Sequence, residues 1–257
     1  MRKSRVIEKF RTGECATFAA LGHYLPFYIR HAAENGFDGI WLDLEHRAME
    51  VREVQSLLSM CHQFNIDCMV RSPTLERTFL YRYFEDGASG LLMPLVDDPI
   101  EAEHIARSVK FPPIGNRGLD GAGLDSDYQL ASEGFVEAAN LETFVIVQIE
   151  TLNALKNAET IAAIEGIDGL FVGPGDLGLR LSLTDSAPDL EEAIETVATS
   201  AKNCGKVWGI AGGDPAQWTK WRAMGAQLLI GTGDFTLRDT LQDASQSLNK
   251  ALKKIAS

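Results

Sequence analysis

Two patterns alternate along this chain. Short apolar runs rich in β-forming residues recur, and a helical pattern follows most of them. The runs cover residues 16–21, 39–43, 68–71, 90–96, 144–150, 169–173, 207–211 and 227–231, eight in all. Helical patterns lie between them, for example at 50–65, 75–86, 191–203 and 215–224. Parallel strands need crossover helices, so this order predicts a parallel sheet covered by helices. Several helical patterns end on a glycine that opens the turn back to the sheet: Gly36, Gly87, Gly166, Gly205 and Gly225. The 257 residues contain no low-complexity stretch, no Pro/Ser linker and no shift in composition. The expectation is one domain over residues 1–257, an α/β fold closed as a (β/α)8 TIM barrel. An open doubly wound sheet is the competitor, but no GxGxxG follows the first run.

Composition narrows the function classes. Hydrophobic residues make up 45%, enough for one large core. The formal net charge of -12 repels nucleic acid and anionic membranes, so neither is expected as a partner. No apolar run approaches the ~20 residues that would span a bilayer. The N-terminal MRKSRVIEKF is basic but lacks the apolar stretch of a signal peptide. Cys15, Cys61, Cys68 and Cys204 are scattered without a CxxC, which reads as reduced thiols in a cytoplasmic protein rather than a zinc site or disulfide framework.

One connection is long. Between the fourth and fifth runs lie a helical pattern (101–109), a Gly- and Pro-rich loop (111–126) and a second helical pattern near 128–140. Loops of this length cover an active site or are disordered, and the first reading is taken here.

In a barrel, chemistry sits at the C-terminal ends of the strands. There the chain places Asp43-Leu44-Glu45-His46, Arg71, Gln148-Ile149-Glu150, Gly173-Pro174-Gly175-Asp176, Gly212-Gly213-Asp214 and Gly231-Thr232-Gly233-Asp234. A lone Asp at such a place commonly caps a helix, and Asp176, Asp214 and Asp234 all allow that reading. The convergence of the set points to one polar mouth. Glu150 and Asp176 end neighbouring strands, and two carboxylates that close repel unless a cation lies between them, which suits Mg2+ or Mn2+. The alternative has Glu150 paired with a barrel arginine and Asp176 as a cap. Asp43 beside His46 is a candidate dyad, since a carboxylate fixes the imidazole tautomer and raises its basicity. His23, His31, His62 and His104 read as structural or exposed. Arg71 is the candidate partner for an anion or enolate, although a salt bridge to Glu45 or Glu150 would satisfy it equally. No lysine falls at the C-terminal end of a strand, so an imine-forming aldolase is not expected, and carbanion chemistry would need a metal.

These residues carry a resemblance. Gly36-Phe37-Asp38, Asp43-Leu44-Glu45-His46, Val70-Arg71-Ser72-Pro73, Phe111-Pro112-Pro113 with Arg117-Gly118, Gln148-Ile149-Glu150 and Gly173-Pro174-Gly175-Asp176 occur in order. Together they resemble the class II pyruvate aldolases of the HpcH/HpaI family over nearly the whole chain. The resemblance implies a lyase of the EC 4.1.2 type. It would cleave a 4-hydroxy-2-oxoacid to pyruvate, or an analogue, and an aldehyde through a metal-bound enolate. Glu150 and Asp176 would bind Mg2+, Mn2+ or Co2+. Gln148 would hydrogen-bond near the metal, and backbone N–H groups around the Gly173-Pro174-Gly175-Asp176 turn would hold the substrate carboxylate at a helix N-terminus. Arg71 would stabilise the enolate oxygen. His46, oriented by Asp43, would move protons with metal-bound water. Ala211 would line the aldehyde side, where the family often has a larger aliphatic residue. The family's usual assembly implies a homohexamer, a trimer of dimers, with the C-terminal stretch 237–255 exchanged between subunits or packed on its own barrel. The aspartates of the loop at 123–128 depart from the family pattern and argue against a second carboxylate on the aldehyde. Two rival readings remain: an acyl-CoA lyase of the citrate lyase beta type, and an inactive paralogue that binds 2-oxoacids.

Overall fold

Eight parallel strands pair in sequence order, and the last closes on the first. The structure is a computed structural model that describes residues 1–129 and 131–255. The first half runs α1 (Arg5–Thr12), β1 (Ala16–Leu21), α2 (Pro26–Glu34), β2 (Gly39–Asp43), α3 (Val51–Gln63), β3 (Asp67–Arg71), α4 (Arg77–Glu85), β4 (Gly90–Met93) and α5 (Pro99–Val109). The second half runs α6 (Phe135–Glu142), β5 (Phe144–Ile149), α7 (Leu152–Lys156), α8 (Ala158–Ala162), β6 (Gly169–Val172), α9 (Pro174–Ser182), α10 (Leu190–Asn203), β7 (Val207–Ala211), α11 (Pro215–Ala223), β8 (Leu228–Gly233) and α12 (Leu237–Ile255). This is a single-domain TIM barrel, as the alternation predicts.

Two apolar layers hold it. Alternate strand residues fill the barrel interior, among them Phe18, Met69, Leu92, Phe144, Phe171 and Ile230. The opposite faces pack under the helices, with Leu42, Val70, Leu91, Val147 and Ile210 in the larger cluster. Gly39 and Gly90 make room for the interior rings. A Cβ at Gly39 would lie 2.3 Å from the Phe18 ring, and one at Gly90 would lie 2.1 Å from the Phe144 ring. Helix starts follow the local chemistry. Asp98 accepts from the N–H groups of Ile100 and Glu101 ahead of α5, and Asp189 with Glu192 forms a capping box at α10. Asp214 caps α11 in the same way, so its capping reading holds.

The ends of several elements differ from the sequence reading. The sequence pattern shows no helix before β1, yet α1, eight residues capped by Ser4, packs Val6 and Ile7 onto the interior cluster and closes the bottom of the barrel. There Asp67 is fully buried and accepts from Arg2, Ser4, Val6 and Ser89. β4 stops at Met93 rather than at residue 96, because Pro94 follows and Leu95 turns into the left-handed region. The helix expected near 128–140 begins only at Phe135, since Asp127, Tyr128 and Gly134 all have positive φ. Leu130, within that expected helix, lies outside the described residues.

The long loop is the main correction. It joins a helix to the next strand, so it lies on the N-terminal face, opposite the strand ends that carry the polar set. Leu124 packs over Gly87, Gly123 lies against the end of α4, and Asp127 pairs with His62 at the end of α3 at 3.0 Å. Arg117 is buried within the loop, bonded to Asp125 at 2.7 Å and stacked on Phe111. The loop does not cover the mouth of its own barrel. Its aspartates therefore say nothing about the charge of an aldehyde bound there.

Candidate active site

Parallel register brings the strand ends together. Asp43 on β2 pairs in register with Arg71 on β3. Ile149 pairs with Val172, which sets Glu150 beside Gly173 at the ends of β5 and β6.

Arg71 is nine-tenths buried and lies over the Trp41 ring, 4.7 Å from its centroid. Its Nε donates to one oxygen of Asp43 at 2.9 Å, and its Nη2 approaches the other at 2.8 Å. Nη1 lies 3.1 Å from Glu45 Oε2, a charge contact off the N–H direction rather than a hydrogen bond. Burial pushes the Asp43 carboxyl upward. The hydrogen bonds and charge of Arg71, with the N–H groups of His46 and Glu45, outweigh that and hold it below its ordinary value.

The Asp43–His46 dyad is not made through the ring. Asp43 accepts from the backbone N–H of His46 at 3.3 Å, while the imidazole, half exposed, has its Nε2 3.6 Å from Glu45 Oε2. A bidentate charge-assisted pair outcompetes a single imidazole contact, so Arg71 takes both carboxylate oxygens. Glu45 is thus the side chain shared by Arg71 and His46, as the Arg71–Glu45 alternative allowed.

Across the mouth, Glu150 is 2% exposed. Its Oε1 accepts from the Leu95 N–H at 2.8 Å, and its Oε2 accepts from Gln148 Nε2. Burial raises its pKa; the two hydrogen bonds oppose the rise, and the negative charges of Glu45 and Asp176 add to it. Gln148 Oε1 is buried without a partner. Gly173 leaves the space over this pair open, since a Cβ there would lie 2.8 Å from both Gln148 Nε2 and Glu150 Oε2. Asp176 is not a cap. Gly173 holds the N-cap place of α9 and Pro174 its first position, so Asp176 falls at the third. Arg180, one turn on, donates to Asp176 at 3.0 Å and to the Glu150 carbonyl at 3.1 Å, tying the two segments together. Gly175 and Asp176 sit in the first turn, where N–H groups have no intrahelical acceptor. Ala211 ends β7 half-buried against the interior cluster.

The donor set fits a hard divalent cation. It offers two carboxylates that repel each other and an amide oxygen with no partner, all oxygen donors. Among the described residues no cluster of three or more His, Cys, Asp or Glu gathers. A cation here would therefore rest on Glu150, Asp176 and neutral oxygens. An apolar cavity of about 430 Å3 opens beside the mouth and is lined by Leu44, Met49, Val51, Pro73, Phe79 and Tyr83. It contains none of the buried carboxylates, and the charged side chains rather than the cavity locate the site.

Comparison with known proteins places this arrangement. Residues 21–230 match the family model described as HpcH/HpaI aldolase/citrate lyase. The chain belongs to that family. A hydroxypyruvate/pyruvate aldolase of Deinococcus radiodurans is 31% identical, over 91% of this chain and 84% of the relative. A 2-keto-3-deoxy-L-rhamnonate aldolase of Klebsiella pneumoniae is 31% identical, over 77% of this chain and 75% of the relative. The crystal structure of an HpcH/HpaI aldolase from Desulfitobacterium hafniense superposes with a TM-score of 0.87 at 29% identity, covering 95% of both chains.

Sequence reasoning placed Asp43, His46, Arg71, Gln148, Glu150, Gly173 and Asp176 at one mouth, where the structure has them. It gave Glu45 only an incidental part, and it missed Trp41, Leu95 and Arg180. Trp41 carried a signal, two residues before Asp43 and so on the same face of β2. Arg180 stands four residues after Asp176, the spacing of a helical ion pair.

Proposed function

We propose that this chain is a divalent-metal-dependent aldolase that cleaves 4-hydroxy-2-oxoacids reversibly to pyruvate, or an analogue such as hydroxypyruvate, and an aldehyde. The observation that carries the reading is the buried Glu150 carboxylate beside the unpartnered Gln148 Oε1 and within charge range of Asp176 and of Glu45, which contacts Arg71. Mg2+, Mn2+ or Co2+ held by Glu150 and Asp176 would supply a Lewis acid for the charge that develops on the keto oxygen.

The chain's own residues account for the rest. The free N–H groups of Gly175 and Asp176 bind the substrate carboxylate at the positive end of α9. In the cleavage direction the C4 hydroxyl loses a proton and the C3–C4 bond breaks. The electron pair moves to the C2 oxygen, and C3 then takes a proton to give pyruvate. Arg71 faces the developing enolate oxygen with the N–H groups that Asp43 leaves free, and Asp43 fixes its plane. His46, with Glu45 beside its Nε2, carries the proton between the C4 hydroxyl and C3. Ala211 leaves room at the end of β7 for the aldehyde half.

The reading includes a homo-oligomer, a hexamer by family precedent. α12 presents Leu241, Leu248 and Leu252 to solvent, each more than 60% exposed, and its described side chains from Leu237 to Leu252 are all exposed. Such a stripe is buried when a second copy receives the helix. Four free thiols suit a reducing compartment such as the cytoplasm. The test is pyruvate release, coupled to NADH oxidation, from a panel of 4-hydroxy-2-oxoacids. Release from at least one substrate supports the reading, and no release from any member removes it.

A further inference from the structure

The turn after β4 holds a leucine in an unusual conformation. Leu95 has φ +54°, the left-handed region that L-residues other than Asn and Asp rarely adopt. Side-chain packing does not explain it, because Leu95 is 51% exposed. Its backbone is what the fold uses: the Leu95 N–H donates to Glu150 Oε1 at 2.8 Å.

The surroundings over-determine that conformation. Pro94 restricts the chain before it, and Val96 after it is fully buried. Asp97 bolts the turn to the segment that follows β5. Its carboxylate accepts from the Thr151 hydroxyl, and its carbonyl accepts from Asn157 Nδ2 at 2.9 Å. Strain of this kind persists only where neighbours enforce it, and it gathers where geometry matters to function.

We infer that Leu95 is a positioning residue, whose left-handed backbone aims its N–H at Glu150 and fixes the plane of that carboxylate for the divalent cation. With Leu95 on one oxygen and Gln148 on the other, Glu150 cannot rotate away from the space beneath Gly173. The inference rests on the proposed metal reading.

The experiment is Mn2+ binding by titration calorimetry on the full-length, metal-stripped chain, with melting temperatures measured in parallel. The series is Leu95→Gly, Leu95→Asn, Leu95→Val and Leu95→Ile. Gly and Asn accept positive φ, so they should bind Mn2+ within about threefold of the unaltered chain. Val and Ile resist it, turn the N–H aside, and should weaken binding at least roughly tenfold, the usual loss when ligand support is disturbed. A ranking by backbone preference rather than by apolar size is the signature. Val or Ile variants that melt earlier yet bind Mn2+ normally would overturn the inference. So would Gly or Asn variants that lose tenfold, which decides the matter even if Val and Ile do not fold. An unaltered chain that binds no Mn2+ would remove the metal reading itself, and the inference with it.

Discussion

Arg71 holds Asp43 by both carboxylate oxygens, at 2.9 and 2.8 Å, across two neighbouring strands. The pair sets the guanidinium in one plane over Trp41 and directs its remaining N–H groups into the mouth. Arg71→Ala should lower kcat for pyruvate release by roughly 10²–10³, the usual cost of one oxyanion donor. Arg71→Lys should recover little of it, since an ammonium cannot make the two parallel bonds that orient the group. Near-normal kcat in either variant would contradict the role.

Gly173 has φ −89°, so alanine is conformationally acceptable there. The added Cβ would nevertheless meet Gln148 Nε2 and Glu150 Oε2 at 2.8 Å. Because Glu150 Cβ would also lie 2.9 Å away, Gly173→Ala should lower the melting temperature of the metal-free chain, by the roughly 1–3 kcal/mol that overpacking costs, and weaken Mn2+ binding by roughly tenfold or more. Calorimetric titration with Mn2+ checks this.

Glu150 gives a pH dependence whose sign follows from its environment. Burial raises its folded-state pKa above the unfolded value. Its contribution to stability is therefore fully present below the unfolded carboxyl pKa and lost as pH rises through the raised folded one. At neutral pH, Glu150→Gln should raise the melting temperature of the metal-free chain and flatten its decline with pH above the carboxyl range. The same variant should lose the upward shift that added Mn2+ gives the unaltered chain. Thermal melts from acid to neutral pH, with and without Mn2+, read both effects.

α12 carries Leu241 and Leu248 into solvent. If a second copy covers them, Leu241→Asp with Leu248→Asp should shift the chain to a smaller species while its circular dichroism stays that of a folded barrel. Light scattering after gel filtration makes the comparison. An unchanged mass would contradict the exchange.

Much of this was legible in the residues. The barrel could be read because parallel strands force a helix between each pair, and the site because polar residues recur where strands end. The Asp43–His46 pairing could not be read. It depended on Arg71, one strand away, holding both Asp43 oxygens and leaving Glu45 as a charge contact. The loop at 111–126 was misplaced by its length, although its position after a helix and before a strand already assigned it to the N-terminal face. Leu95 was hidden because a backbone dihedral has no letter of its own; Pro94 was its only trace.

In the proposed reaction, Glu150 and Asp176 hold the metal on which pyruvate formation depends. The most direct test is pyruvate release by EDTA-treated protein as Mn2+ or Mg2+ is restored, run beside Glu150→Ala. Activity should return with the metal in the unaltered chain and stay absent in the variant at every metal concentration. Release that persists in the stripped protein, or that metal restores equally in Glu150→Ala, would contradict that role.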